Sequence, residues 1–341
     1  MAEMIEEPQS RGDKAKALAK RFIRSENGVL VVVLVALIAG IAGFTKGITI
    51  KPVNISNVLL QSAIRGVSAV GETFVILTAG IDLSVGGVGL MTSVLGASLM
   101  TETAYMNIVG HQMSPVAAVP IMLAVGLAWG LANGVSVSRI GMPALIVTLA
   151  MWEITKGVAF RVCEGCSIMF LPESMAFFGK GVIGAAPVPV IIWIVVAVIA
   201  YFVLTYTTFG RSVYAVGGNP VSAWLSGIRV NNILLAVYAI SGFLSGLSGV
   251  LITGRIMSAS MNTLLGLEID VISAVVIGGI SLFGGRGTLI GTVLGALIIG
   301  VINNGMSVMG TDPAMIGIIK GAIIFAAVAI DTVRRKGETR G

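Results

Sequence analysis

Charge is what this chain most lacks. Only 11 % of its 341 residues are Asp, Glu, Lys or Arg, 56 % are hydrophobic, and mean hydropathy is +0.98, whereas a soluble domain carries about 25 % charge. A soluble fold of this composition would expose more apolar surface than water tolerates, and a disordered or collagen-like chain needs a polar or Gly-x-y composition that is absent. Histidine is nearly missing too: His111 stands alone without a cluster of donors, so no metal centre is expected. There is no Gly-x-x-x-x-Gly-Lys-Ser/Thr string, and Gly284-Gly285-Arg286-Gly287-Thr288 lacks the lysine, so it reads as a tight turn between helices. The two cysteines form Cys163-Glu-Gly-Cys166 without the soluble strand–helix unit of a redox motif. They either close a small disulfide loop in an oxidising compartment or remain two thiols.

What the chain does have is long apolar runs and 45 glycines. Glycine is poor helix material in water, but in lipid small residues let helices approach closely. The runs are continuous and do not alternate at period two, which favours helices over a barrel. They cover residues 29–44, 57–80, 84–100, 116–137, 143–159, 188–207, 232–254, 268–283, 286–309 and 314–331. At roughly 20 residues per crossing, the fold class is an all-α polytopic transmembrane bundle of about ten spans. Val29 to Phe44 follows a basic stretch without a small-residue cleavage site, so it reads as a retained first span.

The net charge of +6 does not point to nucleic acid, because the cations sit in tails and short loops beside apolar runs. With the N-terminus cytoplasmic, 14 of the 22 Lys and Arg fall inside: Arg11, Lys14, Lys16, Lys20, Arg21 and Arg24, then Arg139, Arg211, Arg229 and Arg286, then Arg334, Arg335, Lys336 and Arg340. The organisation is therefore a cytoplasmic basic tail over 1–28, one membrane domain over 29–333 and a cytoplasmic tail over 334–341. Stretches 101–115, 160–187 and 255–267 fall outside, and 208–231 forms a cytoplasmic loop.

Gly80–Ala97 aligns without gaps on Gly279–Ala296, with 9 of 18 positions identical. Each copy has a Gly-rich break between two apolar runs, as discontinuous helices at a transport pathway do. Corresponding segments are six spans apart in the order, which implies parallel repeats; an inverted repeat needs an odd number, as when one of the ten segments does not cross. Small-residue stripes at Gly126, Gly130 and Gly134, at Gly242 and Gly246, and at Gly291 and Gly295 read as helix-packing faces.

A charge at mid-bilayer costs at least ~2.5 kcal/mol and is expected to face protein or water. Glu72, Asp82, Glu268 and Asp270 flank the two breaks, and with Asn133 they are the candidate substrate pathway. Arg65 lies seven residues before Glu72 on the same helix, and Glu153 with Lys156 is an i, i+3 pair suited to mutual neutralisation.

In the cytoplasmic loop, Asn219 suits an N-cap and Pro220 the first helical position, so Val221–Ser226 is expected to form a short helix ended by Gly227. Its apolar face, Val221, Ala223, Trp224 and Leu225, has no lipid to meet and must bury against loops or a partner protein.

Three stretches carry a resemblance to a known family: Gly80-Ile-Asp-Leu-Ser-Val-Gly86, Gly217-Gly-Asn-Pro220 followed by Ala223 and Gly227-Ile228, and Glu268-Ile-Asp-Val-Ile-Ser-Ala-Val-Val-Ile-Gly-Gly279. Over about residues 28–333 the chain resembles the ribose-type permeases, membrane subunits of ATP-binding cassette importers for monosaccharides. The resemblance implies an inner-membrane permease working by alternating access, with a cytoplasmic ATPase subunit, a periplasmic sugar-binding protein, a second permease copy and membrane lipid as partners. It implies no nucleic acid, no cofactor on this chain, ATP on the partner, and no covalent chemistry. Asn219, Pro220, Ala223, Gly227 and Ile228 carry over as ATPase-coupling positions. Val221, Ser222 and Trp224 depart from the acidic, alanine and basic residues usual there. Pentose, hexose and polyol substrates all stay open. The rival is an ion-coupled secondary transporter of a small polar solute, using Glu72, Asp82, Glu268 or Asp270 as its ion site.

Overall fold

The computed structural model describes residues 26–338. The helices are α1 (Glu26–Phe44), α2 (Pro52–Leu77), α3 (Val85–Met100), α4 (Pro115–Ser138), α5 (Ala144–Cys163), α6 (Ala176–Lys180), α7 (Val188–Tyr206), α8 (Thr208–Gly218), α9 (Pro220–Leu225), α10 (Val230–Ile256), α11 (Leu267–Ile277), α12 (Leu289–Val308) and α13 (Pro313–Glu338). One two-residue antiparallel hairpin, β1 (Val182–Ile183) with β2 (Ala186–Pro187), interrupts them. The molecule is a helical bundle, and each of the ten apolar segments coincides with a helix.

Among the described residues, five helices are long and apolar enough to cross a membrane by themselves: α1, α4, α7, α10 and α12. Segment 268–283 does not form the single continuous span expected of it. Its helix α11 stops at Ile277 after 11 residues, about 16 Å at 1.5 Å per residue, because Gly278 and Gly279 follow, the latter at φ +86°. The loop 208–231 holds two helices where one short helix was expected, since α8 precedes α9. Residues 334–338, expected in a tail, continue α13. The basic residues from Arg11 to Arg24 lie outside the described residues.

The glycine stripes set the packing. A Cβ on Gly126 would stand 2.6 Å from the Gly242 carbonyl oxygen and 3.0 Å from Gly246 Cα, and one on Gly130 would stand 3.0 Å from Gly242 Cα. α4 and α10 therefore touch backbone to backbone, as small-residue faces allow in lipid. Hydroxyl pairs pin the same core, with Ser68 Oγ donating to Ser248 Oγ at 2.8 Å, and Thr73 meeting Thr292, also at 2.8 Å. These join α2 to α10 and to α12. Large apolar side chains on α1, α5 and α7, such as Val35, Ile146 and Phe202, point outward.

The loops sort to two ends. Stretches 101–115, 160–187 and 255–267 meet at one end, where Glu102 N donates to Phe170 O (3.2 Å) and Ile168 pairs with Ala259. α8 and α9 lie at the other end, together with both helix breaks. Gly285 N there donates to Leu77 O at 2.9 Å, so the two copies of the repeat put their breaks side by side, as parallel copies do.

Candidate functional site

The loop 208–230 is built from local signals. Thr207 caps α8 by accepting from Gly210 N (3.1 Å), and Asn219 Oδ1 accepts from Val221 N and Ser222 N, both at 3.0 Å, to cap α9. Pro220 takes the first helical position and Gly227, at φ +84°, terminates the turn, with Ile228 N donating back to Ala223 O at 3.1 Å. The helix runs Pro220–Leu225, one residue earlier than expected. Ala223 faces inward at 4 % exposure, while Val221, Trp224 and Leu225 are 64 %, 66 % and 73 % exposed. The apolar face thus finds no cover within the described residues.

The stem of this loop rests on the breaks. Gly217, near the end of α8, is pressed against the Leu77 carbonyl at the end of α2, and its Cβ would stand 2.6 Å from Gly285 N. A Cβ on Gly284 would stand 2.7 Å from Ala79 N. Tyr214 Oη donates to Gly287 O at 3.0 Å, and burial pushes its phenol above the ordinary value, so it stays a donor. At Gly217, α8 therefore touches the break after α2 and the break after α11 backbone to backbone, with the Tyr214 side chain adding a second tie.

The five candidate pathway residues separate. Glu72, Asp82 and Asn133 come together in one network. Asp82 N donates to Glu72 Oε1 (3.0 Å); Ser84 Oγ and Ser241 Oγ donate to the Asp82 carboxylate (2.6 and 2.8 Å); Asn133 Nδ2 donates to Ser84 Oγ (2.7 Å). All are at most 1 % exposed, so the network knits α2, the first break, α4 and α10, with Glu72 Oε2 and Asn133 Oδ1 left without a partner among the described residues. Glu268 stands apart, its Oε2 against Gly86 at the start of α3. Asp270 faces α2, α12 and α13, held by Arg65 Nε (2.7 Å), Lys320 Nζ (2.8 Å) and Asn303 Nδ2 (3.1 Å). Arg65 and Glu72 share a helix but answer to different partners. Glu153 and Lys156 pair at 3.4 Å on the surface, with Lys156 over the Trp152 ring, and Cys163 and Cys166 are both free.

A family model described as the permease component of the branched-chain amino acid transport system matches residues 54–328. The chain belongs to this permease family. Among its relatives, the ribose import permease protein RbsC of Haemophilus influenzae is 39 % identical over 254 residues, 73 % of this chain and 76 % of that protein. The fructose import permease protein FrcC of Rhizobium meliloti is 37 % identical over 320 residues, 92 % of this chain and 87 % of its own length. The D-allose transport system permease protein AlsC of Escherichia coli is 36 % identical over 285 residues, 83 % and 84 % of the two chains. No solved structure matches. The permease is a multi-pass membrane protein, and its relatives are transport subunits, not enzymes.

Sequence reasoning left one part of this permease's site unmarked. A cavity of about 400 Å³ opens among α2, α10, the 257–266 loop and the start of α11, lined by Gln61, Arg65, Arg255, Asn262 and Asp270 together with leucines and isoleucines. Arg255 and Asn262 sit in or beside an outer loop, where a polar residue carries no signal, and nothing local says that this loop turns back to meet the middle of α2.

Proposed function

We propose that this permease is the membrane subunit of an ATP-driven importer that moves a monosaccharide or similar small polyol across the bacterial inner membrane. The chain crosses ten times with both termini cytoplasmic. α11 and the segments flanking it make one crossing in pieces, from Ile256 at one end to the breaks at the other. A cytoplasmic ATPase hydrolyses ATP, a periplasmic sugar-binding protein delivers the solute to the 101–115, 160–187 and 255–267 end, and a second copy completes the pathway. The permease itself holds no cofactor.

One observation carries the reading. A six-residue helix exposes Val221, Trp224 and Leu225 to water, and its stem is seated by Gly217 on the breaks of both repeat copies. An exposed apolar patch of this kind marks a partner surface, and force applied to α9 passes through α8 to the two places where the bundle is least continuous. Asn219, Pro220, Ala223, Gly227 and Ile228 shape this element rather than touch the partner broadly: they cap it, start it, seat it and end it. Rocking of glycine-packed helices about the breaks then opens the pathway to either side in turn. Sugar relatives such as RbsC, FrcC and AlsC support the substrate class over an amino acid. An ion-coupled mechanism would place Glu72 or Asp82 on a watery path, and both are at most 1 % exposed, with Asp82 held by Ser84 and Ser241.

The test is reconstitution of the permease with its ATPase and binding protein in proteoliposomes, following uptake of ribose, fructose, allose and arabinose. Uptake that needs ATP is expected, with a cysteine at Leu225 cross-linking to the ATPase. Uptake by the permease alone on an ion gradient would overturn the reading, as would labelling of that cysteine only from the external face.

A further inference from the structure

The charges around the 400 Å³ cavity do not balance. Among the described residues Asp270 is the one carboxylate lining it, and Arg65, Lys320 and Asn303 already hold that carboxylate. Glu268, two residues earlier, turns to Gly86 of α3 instead. Arg255 lines the same cavity and makes no hydrogen bond or ion pair with any described residue. Its guanidinium is half-buried. Among the described lining residues two cations, Arg65 and Arg255, face one carboxylate, which Lys320 also neutralises from outside the lining, and Arg255 is left over. A guanidinium presents five N–H donors and no acceptor, and burying such a group in part without a partner is costly. An unpartnered guanidinium in a cavity of small-molecule size, roughly 300–1,000 Å³, points to a ligand that brings oxygen acceptors.

Resting on the importer reading above, we propose that this cavity is a transit site for the sugar, with Arg255 its specificity-determining residue, and that the site reads hydroxyl and ring oxygens through donors and refuses sugars carrying a positive charge. Gln61 and Asn262 supply amide groups on either side of Arg255. Arg65 is spoken for through Nε, which donates to Asp270, and through its second nitrogen, which donates to Gln61 O at 3.3 Å, so it acts as a fixed wall charge. Asp270 Oδ2 accepts from Arg65 and Asn303 while Oδ1 is paired with Lys320, so its negative charge is already compensated by two cations. The site therefore distinguishes a neutral monosaccharide from its amino derivative by electrostatics, whatever the shape of the ring.

Two measurements test this separately from the importer reading. The first needs no substrate: Asn262→Cys is placed in full-length permease carrying Cys163→Ser and Cys166→Ser, and its reaction with anionic and cationic methanethiosulfonates is timed. After correction for the reagents' rates with a free thiol, the anionic reagent is expected to react roughly tenfold faster or more, the size of effect a focused field gives, and Arg255→Gln is expected to erase most of that preference. Equal rates, or a preference that survives Arg255→Gln, overturn the proposal. The second uses the complete importer and the best-transported sugar of the panel named above. Arg255→Gln is expected to lower sugar moved per ATP hydrolysed at least tenfold, Arg255→Lys to restore part of it, and the matching amino sugar, with its amine protonated, to be refused. Equal uptake of the amino sugar, or a ratio unmoved by Arg255→Gln, overturns the proposal. Absence of ATP-driven sugar uptake in the unaltered protein would instead sink the importer reading and leave the labelling result standing.

Discussion

Replacing Gly217 by alanine would set one methyl group between α8 and the two helix breaks, and the cost can be worked from the contacts. The new Cβ would overlap the Leu77 carbonyl and stand 2.6 Å from Gly285 N, where ordinary contact begins at 3.4 Å, so Gly285 must give by about 0.8 Å and the Leu77 carbonyl by more. Overpacking of this size costs ~1–3 kcal/mol. The movement also stretches the Gly285 N–H bond to Leu77 O, and a buried donor left unsatisfied costs a further ~1–3 kcal/mol. If the breaks rearrange between the two access states, that cost falls unequally on them. A difference of even about 2 kcal/mol changes their ratio roughly thirty-fold. Gly218→Ala is the matched control, because a Cβ there meets nothing within 4 Å. In proteoliposomes holding the whole importer, Gly217→Ala is expected to cut uptake by an order of magnitude while Gly218→Ala stays within about twofold of the parent. Equal uptake by the two variants would refute the idea that force crosses this contact.

Ala223→Arg is expected to abolish uptake and cross-linking to the ATPase while leaving membrane insertion intact, since Ala223 is the inward-facing residue of α9 and its neighbours are solvent-exposed; normal uptake would remove α9 from the mechanism. Asp82→Ala strands the donors of Ser84 and Ser241 in a sealed network and is expected to cost on the order of 3 kcal/mol or more, read as a lower midpoint in a detergent thermal-shift assay, with Asp82→Asn milder. Gly130→Leu places a side chain where Gly242 Cα already lies 3.0 Å from a bare Cβ and is expected to prevent stable accumulation of the protein, read by size-exclusion chromatography; a monodisperse peak at parental yield would contradict the close α4–α10 contact.

Much of this was legible because it depends on local chemistry. Each apolar run coincides with a helix, since in lipid the backbone must satisfy itself within each segment. Asn219, Pro220 and Gly227 marked the short loop helix because capping and left-handed backbone are decided by neighbours in sequence. α8 escaped notice because half of its turns are polar, and its packing against Leu77 and Gly285 is invisible along the chain. α11 was read as too long for the opposite reason: apolar residues continue to Phe283, but Gly278 and Gly279 end the helix where α12 packs against it.

The residues themselves thus determined the solvent, the helices, the repeat and the loop helix with its exposed apolar face. Only the tertiary structure decided which charges meet. Glu72, Asp82 and Asn133 close on one another, whereas Asp270 joins Arg65 and Lys320 across 205 and 50 positions, leaving Arg255 without a counterpart among the described residues. The reason is physical: a side chain's ionic partner in a bundle is set by which helices lie adjacent and at what depth, and those follow from glycine contacts between distant segments.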